Sequence, residues 1–459
     1  MPHLPFELYQ KIVHELHHDP DTLKVTSPAS RTFSFLCQQL LFSSIIIRSP
    51  IQCCSEYYKF GGPSSAFKNL LQSSPHIGGY VRCIEIFDWP GWTSAESLGC
   101  PRHPRWTVKA HWIRDDLNLQ FCLPLLKQLE AFTLTYRRAA DSDLIWNDLP
   151  PSLVSAIQRV LQLSSLIYVD MEHTPLLSLM QHADGNIKHL VIHNETRDFA
   201  LENTAVSVAN RPAVHLESLC IQLPCLIKGV EEALFDSGFL KSNISLRHLK
   251  KLALNLDGTL AEHVPVSNLL QECASSLEEI IVCPGLDASE VDPDLHNLQP
   301  VDLSKMKSLK LLSVFLEFSN EGIGFIYNQV PWFTNLLRSC SKTNEALEEI
   351  IVTFDIEYKP EDDLLGPWNA VADVILDVKY PKLRLLKITF ISRYSQGANV
   401  VALFEMSDFV KRLRSKKDFV VELQHCFRST PFVSYFIPNP SWLRLMHRQQ
   451  PDHDLANWI

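Results

Sequence analysis

Beyond residue 75 one pattern keeps returning along the chain: apolar, two variable positions, apolar, one variable, apolar. It reads Val81/Ile84/Ile86, Leu129/Phe132/Leu134, Leu166/Val169/Met171, Ile187/Leu190/Ile192 and Leu216/Leu219/Ile221. It continues as Leu249/Leu252/Leu254, Leu277/Ile280/Val282, Leu309/Leu312/Val314, Leu347/Ile350/Val352 and Leu383/Leu386/Ile388. Two copies, Leu277–Val282 and Leu347–Val352, are the same six residues, LEEIIV. Apolar residues two apart predict a short strand with one face buried. Helical spacing falls between the copies: Val154, Ile157, Val160 and Leu161; Leu269, Leu270 and Cys273; Trp332, Phe333, Leu336, Leu337 and Cys340; Val371, Val374, Ile375 and Val378. A helix–strand unit that cannot cover its own apolar face must stack on its neighbours. Copies begin between 21 (Leu166 to Ile187) and 48 (Val81 to Leu129) residues apart, the spacing of a solenoid. The expected fold is therefore α/β. It places a curved solenoid with a parallel sheet over 76–425, a helical linker over 49–75 before it, and a tail or cap over 426–459. A doubly wound α/β globular enzyme shares the helix–strand alternation and is the competing architecture.

The first fifty residues read differently. Leu8, Ile12, Val13 and Leu16 recur at helical spacing, with Pro5 where a first turn tolerates it. Asp19-Pro20 ends that helix, and Asp21 or Thr22 is placed to cap the next turn. Ser27-Pro28 reads as an N-cap with proline at the first helical position, and the following helix puts Phe33, Leu36 and Leu40 on one face. Three short helices in so few residues do not bury a self-sufficient core. The unit is expected to lean on a partner or on the rest of the chain.

The residues themselves carry a resemblance. Leu4-Pro5-Phe6-Glu7-Leu8, Ile12, Asp19-Pro20, Thr22-Leu23-Lys24, Ser27, Ser30-Arg31-Thr32-Phe33 and Leu41-Phe42 followed by Ile45 resemble an F-box, most closely the F-box-like domain of large fungal families. The resemblance implies a three-helix domain over 1–48 that docks on the Skp-type adaptor of a cullin-RING ubiquitin ligase, with Leu4, Pro5, Leu8 and Ile12 at the adaptor interface. The LxxLxL copies resemble leucine-rich repeats, without the asparagine that follows in regular repeats. Together the two resemblances imply a non-enzymatic substrate receptor, whose N-terminal unit holds adaptor and cullin while the repeats bind an unknown protein target. A plain interaction scaffold, in which the F-box-like unit merely caps the repeats, is the second reading.

Composition narrows the classes. At 46% apolar and 20% charged residues the chain is not globally disordered. A net charge of −10 argues against a nucleic-acid or membrane-surface binder. Glycine is scarce, at 15 residues, and neither GxGxxG nor GxxxxGK[ST] occurs, which disfavours phosphate-cradling folds. No apolar run approaches the ~18 residues of a membrane span, and the opening MPHLPFELYQ lacks the basic and apolar regions of a signal peptide. The 12 cysteines are scattered without CxxC pairs and read as reduced core residues. Sequons at Asn194 and Asn243 then carry no meaning, and a cytoplasmic or nuclear protein is expected.

Candidate chemistry is sparse. His14-Glu15-Leu16-His17-His18 satisfies HExxH, which on one helical face supplies two zinc ligands and a general base. Asp19-Pro20 closes that helix at once and no third ligand is in register, so a zinc hydrolase is a remote reading. Cys100, His103 and His111 form only a partial metal set, Cys53-Cys54 is a vicinal thiol pair, and no GxSxG elbow exists. No catalytic residue, metal or cofactor is expected. Recognition has more candidates. A long interval holds Trp89, Trp92, Trp106 and Trp112, which either meet a partner or seal the first edge of the repeats. Lys411–Lys417 is a basic run: a nuclear signal, an anion patch or the end of a solvated helix. Asp355–Trp368 is an acidic loop. The variable strand positions form the inner surface of a solenoid. Thr133, Thr135, Asp170, Glu172, His189 and His193 make it polar early, whereas Ile281, Leu311, Phe315, Ile351 and Leu385 make it apolar late. Apolar groups standing in water call for a partner or a cover. Ile281, Phe315 and Ile351, with Trp89 and Trp92, are the target-binding candidates, and the segment beyond 426 is the candidate cover.

Overall fold

Every copy of the repeated pattern is a strand. The structure is a computed structural model that describes residues 4–48, 63–87, 112–135, 146, 149–172, 174, 179–193, 213–223, 244–256, 264–283, 302–318, 324–341, 345–356, 365–377, 380–392 and 396–427. These residues form two compact units, divided between Ile187 and Lys188. In the first, helices α1 (Phe6–Glu15), α2 (Pro20–Thr26) and α3 (Arg31–Leu41) precede strand β1 (Ser44–Arg48). Helix α4 (Pro63–Ser73), β2 (Cys83–Phe87), the short helices α5 (Trp112–Asp115) and α6 (Leu119–Cys122), β3 (Ala131–Thr135), α7 (Pro151–Leu161) and β4 (Tyr168–Glu172) follow. Strands β1 to β4 pair in chain order and all in parallel, for example Ile45 with Ile84, Ile84 with Phe132 and Phe132 with Val169.

The second unit contains β5 (His189–His193), β7 (Ser218–Leu223), β9 (Lys251–Leu256), β10 (Glu279–Cys283), β11 (Leu311–Phe318), β12 (Glu349–Ile356), β13 (Leu385–Ser392) and β14 (Val420–Phe427). They too pair in parallel, in that order. A separate parallel pair joins the two-residue strands β6 (Val214–His215) and β8 (Ile244–Ser245). Between the main strands run α8 (Val264–Cys273), α9 (Gly324–Ser341), α10 (Trp368–Asp377), α11 (Gln396–Met406) and α12 (Asp408–Arg414). The fold class is thus α/β, with a large parallel sheet.

Burial explains why the pattern folds this way. The first, fourth and sixth residues of all ten copies are buried, none of them more than 5% exposed. The fourth and sixth lie on the face covered by helices. Phe354 and Phe390 from β12 and β13 stack on each other with ring centroids 5.3 Å apart. Trp368 of α10 meets Phe354 at 5.3 Å, and Phe404 of α11 meets Phe390 at 5.0 Å. The variable residues alternate to the opposite face. The residue just before each strand turns the chain into register. The Lys188 carbonyl accepts from both Glu217 N and Ser218 N, at 2.7 and 3.0 Å, and the arrangement repeats from strand to strand.

Four of the described strands were not foreseen: the two-residue β6 and β8, and β1 and β14. Ser44–Arg48 falls in the segment read as helical, and β14 runs past the expected start of a tail, to Phe427, because Cys426 pairs with Ile391 of β13. Two caps also shift. Asp19, rather than Asp21 or Thr22, caps α2, its side chain accepting from Thr22 N at 3.0 Å with Pro20 in the first turn. Ser27 and Pro28 sit in a 3-10 turn, and Ser30 caps α3, accepting from Phe33 N at 3.2 Å.

Candidate functional site

The N-terminal helices enclose a small core of Val13, Leu23, Leu36 and Cys37, with Tyr9, Leu16, Phe33, Leu40 and Leu41 packed against it. Tyr9 and Phe33 meet edge to face at 5.0 Å. Because Val13 points inward, the residues one position back and further around the helix point out. Leu8 and Ile12 are 44% and 42% exposed, and Leu4 before the helix is 48% exposed. Pro5 is exposed as well and sits at the N-cap of α1. All four anticipated interface residues are therefore exposed, as is Phe6 at 46%. Val25 and Phe35, which sequence reasoning passed over, are also exposed apolar groups of this unit. Polar bonds hold the frame: hydrogen bonds from Thr22 keep the Asp19 carboxyl below its usual range, so it stays charged at the start of α2.

The HExxH residues do not share a helical face. Helix α1 ends at Glu15, so His14 is helical while His18 lies in the following turn. The His17 ring stacks on His14 with centroids 5.0 Å apart, and His17 Nδ1 bonds the His14 carbonyl. Among the described residues, no three His, Cys, Asp or Glu side chains are grouped to hold a metal ion. Cys53, Cys54, Cys100, His103, His111, Trp89, Trp92 and Trp106 lie outside the described residues. Trp112 is described, and it is buried, its indole Nε1 donating to the Phe87 carbonyl at 3.1 Å. That tryptophan packs the end of β2 and is no docking group. Of the acidic segment Asp355–Trp368, residues 357–364 lie outside the described residues, and Trp368 is fully buried. The basic run ends a helix, where Arg412 pairs with Asp373, Arg414 with Glu405 and Lys411 with Asp408. Its positive charge is largely answered by carboxylates.

The strand face turned away from the helices is the second candidate surface. Pairing sets Ile281 against Ser313 and Ser313 against Ile351, and it sets Phe315, two residues along, against Thr353. Ile281, Ser313, Phe315 and Ile351 thus share one face and neighbouring strands, ~4.8 Å apart. Lys387 and Thr389 continue the rows on β13. Exposure differs from expectation. Ile281 and Ile351 are half-buried, but Phe315 is only 3% exposed and clusters with Cys283 and Ile391, while Ile281 and Cys426 pack against the cluster. Phe315 does not stand in water, since an apolar ring of that size gains by packing against its neighbours. Earlier strands also depart from an open polar surface: Thr133 and Asp170 are buried, and the Tyr168 hydroxyl donates to Asp170 at 3.3 Å. Half-buried His189 shares a hydrogen bond of 2.8 Å with Ser218 Oγ, and burial holds its pKa below the usual value.

No family model and no curated protein matches this chain.

Proposed function

We propose that the chain is a non-enzymatic protein adaptor, the substrate-recognition subunit of a Skp/cullin-type ubiquitin ligase. In this reading the N-terminal helices are an F-box-like domain and the ladder of repeated strands is a leucine-rich-repeat-like solenoid. The helices hold a Skp-type adaptor and, through it, a cullin scaffold. The solenoid binds the protein target with the late strand face around Ile281, Phe315 and Ile351 and with Trp89 and Trp92. The chain then contributes proximity and orientation, while bond-making residues belong to its partners.

One observation carries the reading: Leu4, Pro5, Leu8 and Ile12 are exposed on the first helix and the two residues leading into it, in a unit whose core is already closed by Val13, Leu23, Leu36 and Cys37. Exposed apolar groups gathered on one small element mark an interaction site. Burying a leucine or isoleucine there is worth about 1.5–3 kcal/mol, so two or three suffice to anchor a partner. The test is an affinity pull-down with mass spectrometry, comparing the whole chain with one lacking residues 1–42. The cut stops short of β1 because that strand pairs with β2, and removing it opens a sheet edge. Loss of adaptor and cullin on truncation, with other partners retained, supports the ligase reading. Partners retained with no adaptor in either sample leave the scaffold reading.

A further inference from the structure

The residue immediately before each of the seven successive strands β5, β7, β9, β10, β11, β12 and β13 carries a charge, and the sign alternates without a break: Lys188, Glu217, Lys250, Glu278, Lys310, Glu348, Arg384. These residues are neighbours across the sheet, because from Glu217 to Arg384 each backbone N–H donates to the preceding member's carbonyl, at 2.7 to 3.0 Å. Side chains meet as well. Lys188 bonds Glu217 at 2.9 Å, Lys310 bonds Glu278 at 2.7 Å and Arg384 bonds Glu348 at 3.2 Å. One residue further along, Lys251 pairs with Glu279 at 2.8 Å and Arg384 with Glu349 at 3.4 Å. The coupling is wider than pairs. Lys250 helps hold both Glu217 and Glu278 below their ordinary pKa, and Glu348 adds to the rise that Glu278 causes at Lys310. In the first unit Arg82 and Glu130 make the same step, 3.3 Å apart.

The apolar frame alone does not tell one strand from another. All the copies share it, and Leu277–Val282 and Leu347–Val352 are identical. Period-two burial fixes which face each strand turns to the core, yet it leaves the choice of neighbour open. Identical apolar segments also favour stacking on each other in register, within a chain or between chains. Alternating charge answers both hazards. A strand that skips its neighbour meets its own sign: Glu217 against Glu278, or Lys250 against Lys310. The two LEEIIV segments, paired directly, set Glu278 and Glu279 against Glu348 and Glu349. We propose that this alternation is a neighbour code, which selects the native strand order during folding and opposes pairing between equivalent strands.

Two full-length variants test it. In the first, Glu217→Lys, Glu278→Lys, Lys310→Glu and Arg384→Glu sort the row into four positive and then three negative members, at unchanged net charge. In the second, all seven signs are reversed, with Glu349→Lys added to keep its contact with position 384, so alternation survives more substitutions than the first variant carries. Each is refolded by dilution from denaturant at ~10 mM salt, where the Debye length is ~30 Å, and at ~1 M, where it is ~3 Å. The readout is the fraction recovered as monomer on size exclusion with parent-like circular dichroism. The sorted variant is expected to lose several-fold in recovery at low salt and to regain most of it at high salt, while the reversed variant matches the parent at both. Equal recovery of the sorted variant and the parent at low salt would overturn the proposal. So would a reversed variant that fails as badly as the sorted one, since position and not alternation would then matter.

Discussion

Cys122 and Cys273 show how single residues behave in this interior. Both thiols are fully buried, and burial pushes each from its ordinary value of about 9 up to about 12. The thiolate is the reactive form, so a disulfide-exchange reagent at pH 8 is expected to leave both untouched until the protein is unfolded. Rapid labelling of either in the native state would contradict their placement. The same shifts mean that the stability they support is fully present below pH 9 and is lost between pH 9 and 12, where the unfolded chain releases the protons first. His189 works in the opposite direction. Burial lowers its pKa, and the neutral ring bonds Ser218. Its contribution is present above about pH 6.5, where the unfolded imidazole is neutral, and is lost as the pH falls through the depressed folded value. The unfolding midpoint of the parent should therefore drop more steeply than that of His189→Gln between pH 7 and 5; parallel curves would contradict this. The sequence shows these cysteines as core residues, since scattered thiols without paired spacing have little else to do. It does not show His189 beside Ser218, because that contact depends on strand register.

Elements were legible where two periodicities agreed. The ten repeated strands stand out because apolar residues two apart alternate with helical stretches, and burial of their first, fourth and sixth positions bears the frame out. Strand β1 was hidden because Ile45, Ile46 and Ile47 run together and give no alternation, and because a helix directly precedes them. The caps were misplaced by a few residues since Ser27 and Ser30, like Asp19 and Asp21, offer the same chemistry to different turns. The charge alternation was overlooked for another reason: it occupies positions that the apolar pattern treats as variable. At this scale the packing between helices and strands is the main source of stability. Trp368 is fully buried and meets Phe354, Phe404 and Phe409 with ring centroids 5.2 to 5.5 Å apart. Trp368→Ala should cost about 3–5 kcal/mol, read as a lowered denaturant midpoint. Met406→Ala, at a residue 64% exposed, should stay within ~0.5 kcal/mol of the parent. Equal effects of the two would mean that the helix layer does not carry the fold.

At the scale of the whole molecule, the described residues hold no grouped set of metal-ligating side chains and no helix long and apolar enough to cross a membrane. Among the described residues, the N-terminal unit exposes the apolar groups Leu4, Phe6, Leu8, Ile12, Val25 and Phe35. The helix itself was legible from the spacing of Leu8, Ile12, Val13 and Leu16, but which of these turn inward was not: Val13 is buried while Leu8 and Ile12 are exposed. The late strand face was legible only in its register. The burial of Phe315 arises from long-range packing with Cys283 and Ile391, residues from strands far apart in sequence. The central claim is that the exposed row on α1 binds a Skp-type adaptor, and Leu8→Asp addresses it most directly. Because Leu8 is exposed, the change should leave the fold intact, within ~0.5 kcal/mol. Titrating a purified Skp-type adaptor into the full-length parent and into the Leu8→Asp protein, with matched circular dichroism, gives the decisive comparison. Saturable binding to the parent that weakens at least tenfold in the variant is the predicted result. Equal binding to both, or none to the parent, would contradict it.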